Sequence, residues 1–141
     1  MSIRDRVEDA KFLWQHGRRE GAFLCALSAV AATARLRYPD RKTVKDNEAF
    51  KQFMSASLTV RLSAEFRGEL HSVEQIFYKW LRCELVHEGG LPVDIQFIPG
   101  TDLVVRAGGA PEFVLKLSKG WFNHLCAAVI RAPENCGAFA Q

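Results

Sequence analysis

Apolar residues recur every three or four positions through the first third of the chain, which is the spacing of one buried helix face. The first such stretch covers residues 3–16, with Ser2 and Asp5 placed to form a capping box at its start. A second covers residues 19–38 and is rich in alanine, so a neighbouring helix can approach closely. A third begins at Asp46. The pattern therefore predicts three helices in succession.

The pattern is less decisive in the middle of the chain. Residues 59–70 alternate weakly and fit a short strand, a loop or a helical turn, and these alternatives stay open. Ser72, followed three positions later by Gln75, is a second capping signal. It predicts the start of a helix over residues 73–88.

Period-two alternation replaces the helical spacing after residue 92. It predicts strands over residues 93–97, 103–105 and 113–117, and then a last helix over residues 119–131. We therefore expect a mainly α fold. The chain would form a single domain over residues 1–131, a helical bundle with a small antiparallel β meander at about 92–117 before the C-terminal helix. Residues 132–141 would form a flexible tail.

Composition adds few restrictions on function. Apolar residues make up 48% and charged residues 25%, which is typical of a globular protein, and the net charge of +3 permits contact with a polyanion without requiring it. The N-terminal residues are highly charged, unlike a signal peptide, and the longest apolar stretch, 21–34, is too short to cross a bilayer. We expect a cytoplasmic protein with no membrane partner.

The four cysteines form no C-x-x-C pair, which argues against a zinc ribbon or a redox motif.

The segment with the most chemical content is the end of the predicted helix over residues 73–88. On a helical wheel His87 falls at the edge of the apolar face, and Arg82 lies about 140° away. Glu84 falls near the middle of that face, so we expect it to have a buried partner such as an arginine. Gly89 follows as a helix stop, and the helix dipole there favours a cation.

An arginine and a histidine are two of the groups that RNA cleavage requires. His87 would exchange a proton as the 2′-hydroxyl attacks the adjacent phosphorus. Arg82 would stabilise the charge that develops on the phosphoryl oxygens. No metal or other cofactor is needed, and the expected product is a 2′,3′-cyclic phosphate. Arg-x4-His alone is a weak signal, because this composition gives about one such pair by chance in every three chains.

The wider context of the motif adds weight to this hypothesis. The run Tyr78-Lys79-x-Leu81-Arg82-Cys83-x-Leu85-Val86-His87-Glu88-Gly89 resembles the HEPN family (higher eukaryote and prokaryote nucleotide-binding domains), whose helical members often have Arg-x4-6-His near a helix end. The close resemblance covers about 20 residues, and the β meander is not a general feature of that family.

The resemblance implies a metal-independent endoribonuclease of the kind found in toxin–antitoxin or defence systems. Such an enzyme is a homodimer that binds RNA and has an antitoxin-like protein partner. By position Arg82 would bind the scissile phosphate and His87 would transfer protons. The remaining polar side chains of the segment would support the site or bind substrate: Lys79, Cys83, Glu84 and Glu88.

Two alternatives remain. Active HEPN members often have Asn or Asp where this chain has Cys83, so a non-enzymatic dimerisation module that binds nucleotide, RNA or a protein is the second hypothesis. It predicts a buried His87, or an Arg82 held by a carboxylate such as Glu84 or Glu88. Zinc is a weaker alternative, because Cys83 and His87 share a helix face but His124 and Cys126 point in different directions.

Overall fold

The second helix, α2 (Arg19–Arg37), lies at the centre of the structure. Three helices pack against it: α1 (Ile3–Gln15), α3 (Asp46–Ala56) and the C-terminal helix α6 (Gly120–Arg131). One side of α2 presents small residues such as Ala22, Ala26 and Ala29, all buried, which let the neighbouring helices approach closely, as expected. Larger side chains, including Phe23 and Leu27, fill the space between the helices. The burial of α2 therefore organises the core.

The computed structural model describes residues 2–59, 61–107 and 114–139. The mainly helical fold class is confirmed, and the predicted helix positions agree with the structure to within a few residues. No helix in this part of the chain is long and apolar enough to cross a bilayer. The helices are α1 Ile3–Gln15, α2 Arg19–Arg37, α3 Asp46–Ala56, α4 Val73–Ile76, α5 Cys83–Glu88, α6 Gly120–Arg131 and α7 Cys136–Phe139, with a π-helix at Phe77–Arg82 and a 3-10 turn at Pro133–Asn135. The strands are β1 Ser63–Phe66, β2 Glu69–Ser72, β3 Ile95–Ile98, β4 Val105–Ala107 and β5 Leu115–Ser118.

The segment that the sequence left open, residues 59–70, contributes to a β hairpin. Strands β1 and β2 pair antiparallel, with Ser63 opposite Ser72 and Phe66 opposite Glu69. Arg67 and Gly68 form the turn, and both have positive φ angles, as tight hairpin turns require. The Arg67 guanidinium donates two hydrogen bonds to the Asp94 carboxylate, at 2.8 and 2.9 Å, and so joins the hairpin to the chain before β3.

The second sheet departs from the predicted antiparallel meander. Its strand order is β3-β5-β4, with β5 parallel to β3 and antiparallel to β4. Strand β5 is well buried, which explains its central place. The segment between β3 and β4, residues 99–102, does not fold β4 back onto β3, because it is hydrogen-bonded to the start of α6. The Ile98 carbonyl accepts from the Lys119 N–H (2.9 Å) and the Gly100 carbonyl from the Gly120 N–H (2.8 Å). Phe113, predicted to begin the last strand, lies outside the described residues.

Residues 132–139 are packed against the bundle and do not form the flexible tail that we expected; residues 140–141 lie outside the described part. Asn135 is only 2% exposed, and its Nδ2 donates to Thr33 Oγ1 and to the Val129 carbonyl, each at 2.9 Å. Glu134 accepts from Arg37 at 2.9 Å. Composition suggested a frayed end, but these polar contacts to α2 fix it in place.

We predict that Gly120→Ala destabilises the protein. A Cβ at this position would lie 2.8 Å from the Asp102 carbonyl oxygen, and nearer still to the Thr101 carbonyl. Overpacking of this kind costs about 1–3 kcal/mol, and urea denaturation would measure the loss. Gly137→Ala is the matched control, because its Cβ meets nothing within 4 Å and the change should be neutral or slightly stabilising. Equal midpoints for both variants would contradict the close approach at Gly120.

We also predict that the Arg37–Glu134 pair makes stability depend on pH. The hydrogen bond from Arg37 holds the pKa of Glu134 below its usual value. A carboxylate whose pKa is lowered on folding contributes stability above its unfolded pKa, and this contribution is lost as pH falls through the folded value. Glu134→Gln should cost about 1 kcal/mol or less at neutral pH and nothing in strong acid. Urea denaturation over a pH series would measure this, and a pH-independent difference would contradict it.

Candidate functional site

The candidate motif lies on one continuous helical segment, residues 73–88, which we call the site helix. The Ser72 Oγ accepts from the Gln75 backbone N–H at 3.2 Å, which confirms Ser72 as the cap. The Gln75 side chain accepts from Lys51 Nζ, at 2.8 Å. Gly89, with φ of 76°, ends the segment in a left-handed conformation that glycine adopts without strain. The core face consists of Val73, Ile76, Phe77, Trp80, Leu81 and Leu85.

The middle of the site helix winds as a π-helix over Phe77–Arg82. A π-helical turn is longer than the 3.6-residue turn of an α-helix, so the following residues are rotated away from the positions that a regular helix would give them. As a result Leu85 enters the core, whereas Glu84 is half-buried and His87 is exposed. The expectations that Glu84 lies within the apolar face with a buried arginine partner and that His87 lies at its edge were therefore wrong, because they assumed a regular α-helix.

Arg82 lines a cavity of about 200 Å³ between the site helix, α2 and α3. Its guanidinium lies over the Tyr78 ring, 5.5 Å from the centroid. Positions four apart nearly eclipse in a π-helix, which explains this stacking. Within the described part of the chain the Arg82 guanidinium makes no hydrogen bond or ion pair. Its donors therefore remain free for a ligand.

Two further arginines and one carboxylate complete the polar lining of this cavity, which we call the Arg82 cavity. Arg35 donates to Asp46 Oδ1 (2.9 Å) and to the Val44 carbonyl (2.7 Å), and only 14% of its side chain is exposed. Arg41 Nη1 lies 3.6 Å from Asp46 Oδ1, and 71% of its side chain is exposed. Three guanidinium groups and one carboxylate give a local charge of +2. The cavity therefore favours an anion.

Tyr78 and Cys83 form a second contact beside Arg82. Burial raises the pKa of the Tyr78 phenol, and the neighbouring Cys83 thiol adds to this effect. Tyr78 therefore stays protonated at neutral pH and keeps an O–H group available for hydrogen bonding. Cys83 is half-buried. Cys83 therefore lies next to Tyr78, which lines the cavity. From the sequence, Cys83 was assigned to the site only because it follows Arg82 in the chain.

The other predicted site residues do not line the Arg82 cavity. His87 is exposed five residues after Arg82, about 140° around and ~7.5 Å along a helix. Glu88 is also exposed, and Lys79 is exposed with its Nζ 4.9 Å from the Trp80 ring centroid. Within one chain, therefore, Arg82 lies beside Tyr78 and Cys83, whereas His87 lies outside the Arg82 cavity.

Sequence reasoning missed Arg35, Arg41 and Asp46. They come from the end of α2, the loop after it and the start of α3, and none belongs to a recognisable motif. The available signal was the cluster of basic and acidic residues around Pro39, between the second and third predicted helices. The zinc alternative finds no support, since no group of three or more His, Cys, Asp or Glu side chains converges within residues 2–59, 61–107 and 114–139.

Comparison with known proteins identifies the family. The model of the Rv1289 family matches residues 2–141, so the chain belongs to that family. No curated protein and no solved structure matches the chain.

We predict that the Arg82 cavity binds inorganic phosphate. Millimolar phosphate should raise the melting temperature above that in sodium chloride of equal ionic strength, because a ligand that binds only the folded state stabilises it. Arg82→Gln should abolish this increment. The matched control is Lys79→Gln, which also removes one positive charge of the site helix but lies outside the cavity and should keep the increment. An increment of equal size in both variants would exclude Arg82 as the anion ligand.

Proposed function

We propose that this Rv1289-family protein binds RNA through the Arg82 cavity and cleaves it without a metal ion, as a homodimer. Arg82 binds the scissile phosphate, and His87 transfers the proton. The observation that carries the proposal is the Arg82 guanidinium, which lines a cavity of charge +2 and has no carboxylate partner within the described residues. A guanidinium with free donors can form two parallel hydrogen bonds to a phosphate.

The environment of His87 supports a role in proton transfer. Its side chain is exposed in the last turn of α5, next to the helix end at Gly89. An exposed imidazole can accept a proton from a bound substrate or donate one to it. A purely structural His87 would be buried or bound within the fold, and an Arg82 of that kind would be paired with Glu84 or Glu88. Neither applies within the described part of the chain.

The positions of the two side chains support the homodimer. Arg82 lines the cavity and His87 of the same chain does not, so a phosphate held there needs its proton-transfer group from elsewhere. A second copy of the chain, placed with its site helix across the first, can supply His87 to a phosphate held by Arg82. Val86, which precedes His87, is 55% exposed. An exposed apolar side chain at this position is suited to burial in such an interface.

The chemistry then follows from two groups. As the 2′-oxygen bonds to phosphorus, its proton passes to a histidine base, and the bond from phosphorus to the 5′-oxygen breaks as that oxygen receives a proton. Arg82 stabilises the charge on the non-bridging oxygens. The products are a 2′,3′-cyclic phosphate and a 5′-hydroxyl. For an enzyme of a toxin–antitoxin or defence system, an antitoxin-like protein partner would control activity by covering this surface.

A second candidate is a non-enzymatic module that binds RNA or a nucleotide. The observation in its favour is that His87 lies outside the Arg82 cavity. It needs only Arg82 and its neighbours, whereas the ribonuclease needs His87 as well. The two candidates therefore make different predictions for cleavage by a His87 variant. They make the same prediction for binding by an Arg82 variant.

We predict that the protein cleaves a mixed RNA pool in EDTA and that His87→Ala loses about 100-fold or more of the rate, the usual contribution of general acid–base catalysis. His16→Ala is the matched control, because His16 is another exposed histidine at a helix end. It should keep the wild-type rate. Equal traces from the wild type and His87→Ala would rule out the ribonuclease and leave the binding module.

Binding is measured separately by fluorescence anisotropy with an RNA whose 2′-hydroxyls are methylated, so that cleavage cannot occur. Arg82→Gln should weaken binding about 10-fold, equivalent to roughly 1.4 kcal/mol, and His87→Ala should not. Binding by the wild type without cleavage favours the module. No binding by the wild type would overturn both candidates.

A further inference from the structure

A second cavity, of about 210 Å³, lies at the C-terminal end of α3, between α3, α6 and the 3-10 turn that follows α6. We call it the His124 cavity. Its polar lining consists of Arg37, Ser57, His124 and Arg131, and Phe53 and several alanines supply an apolar wall. Sequence patterns do not reveal this cavity, because its polar residues come from three separate elements and belong to no recognisable motif.

The His124 ring is held in a defined orientation. The Ser57 hydroxyl donates its only proton to the Met54 carbonyl, at 2.6 Å, so the Ser57 oxygen accepts from His124 Nε2 at 3.0 Å. The Trp121 ring packs edge-on against the imidazole, with the centroids 5.7 Å apart. Among the described residues the second ring nitrogen, Nδ1, has no hydrogen-bond partner. In this neutral tautomer Nδ1 is an acceptor, and it becomes a donor when the imidazole is protonated.

The charges around His124 are unbalanced. Burial lowers the pKa of His124, and the Arg131 guanidinium lowers it further. Arg131 is exposed and has no carboxylate partner within the described residues. Arg37 differs, because its Nε and Nη2 donate to Glu134 at 3.2 and 2.9 Å. An anion between Arg131 and His124 would supply the missing negative charge, and would raise the pKa of His124 by cancelling the effect of Arg131.

We propose that the His124 cavity binds a small aliphatic carboxylate. The carboxylate accepts hydrogen bonds from Arg131 and from the Nδ1–H that His124 carries when its ring is protonated, and the hydrocarbon part packs against Phe53 and the alanines of α3 and α6. The cavity is smaller than the roughly 300–1,000 Å³ of sites for drug-sized ligands, which favours a small ligand. Two donors and an apolar wall match a carboxylate better than a phosphate, which has more oxygens to satisfy.

The test is a butyrate titration of the full chain, followed by NMR of the histidine Cε1–Hε1 signals, with His124 assigned from His124→Gln. Butyrate should shift the His124 signal saturably and raise the midpoint of its pH titration, whereas sodium chloride at equal ionic strength should not. Affinity should increase as pH falls, by at most about tenfold for each unit by which butyrate raises the pKa. The charged groups around the ring are Arg131 on its own helix, Arg37 on α2 and Glu134 after α6, so the titration stays above about pH 5, where Glu134 remains ionised.

Arg131→Gln should weaken butyrate binding about tenfold or more, the effect of losing one charge-assisted hydrogen bond. Arg106→Gln, an exposed arginine on β4, is the matched control and should bind as the wild type does. Three results would each overturn the proposal: no saturable shift in the wild type, unchanged affinity in Arg131→Gln, or inorganic phosphate binding as tightly as butyrate. None of these measurements involves Arg82 or His87, so the outcome is independent of RNA cleavage.

Discussion

The π-helix at Phe77–Arg82 determines which residues after it face the core in the site helix. A regular α-helix over residues 73–88 would place Glu84 in the middle of the buried face, where an unpaired carboxylate costs several kcal/mol, roughly the price of losing its water. The π-helix at Phe77–Arg82 rotates the last turns, so that Leu85 enters the core and Glu84 does not. The same rotation stacks Arg82 over Tyr78 and exposes His87. The candidate site is therefore a consequence of how this helix packs.

The Arg82 cavity depends on an arginine that is itself committed to the fold. Arg35 holds the loop between α2 and α3 through the carbonyls of Tyr38 and Val44, and it holds the start of α3 through Asp46. These hydrogen bonds use the donors of Arg35. They also hold in place the cavity wall that lies opposite Arg82. Arg82 and Arg41 are the groups left for a ligand. A site with one structural and two available arginines is more rigid than three free side chains, and rigidity lowers the entropy cost of binding.

The helices were predictable from sequence because their signals are local. Ser2, Ser72 and the spacing of the apolar residues each act within a few positions. The strand order was not predictable, since it depends on hydrogen bonds between residues 98–100 and 119–120, which no periodicity reveals. The packing of Asn135 on Thr33, 102 positions away, is non-local for the same reason. The motif located Arg82 correctly on the helix, but only the π-helix decides which way Arg82 and His87 point.

Net charge was a poor guide to the Arg82 cavity. The chain as a whole carries +3, which is mild, yet a single cavity of about 200 Å³ carries +2. The arrangement of the charges matters more than their sum, because low-dielectric walls focus the field of a cleft. A site of this size engages one phosphate, and release of counterions from one phosphate contributes little affinity. Two chains side by side would engage two phosphates of one strand. The small cavity therefore fits the proposed homodimer, in which each chain would hold one phosphate.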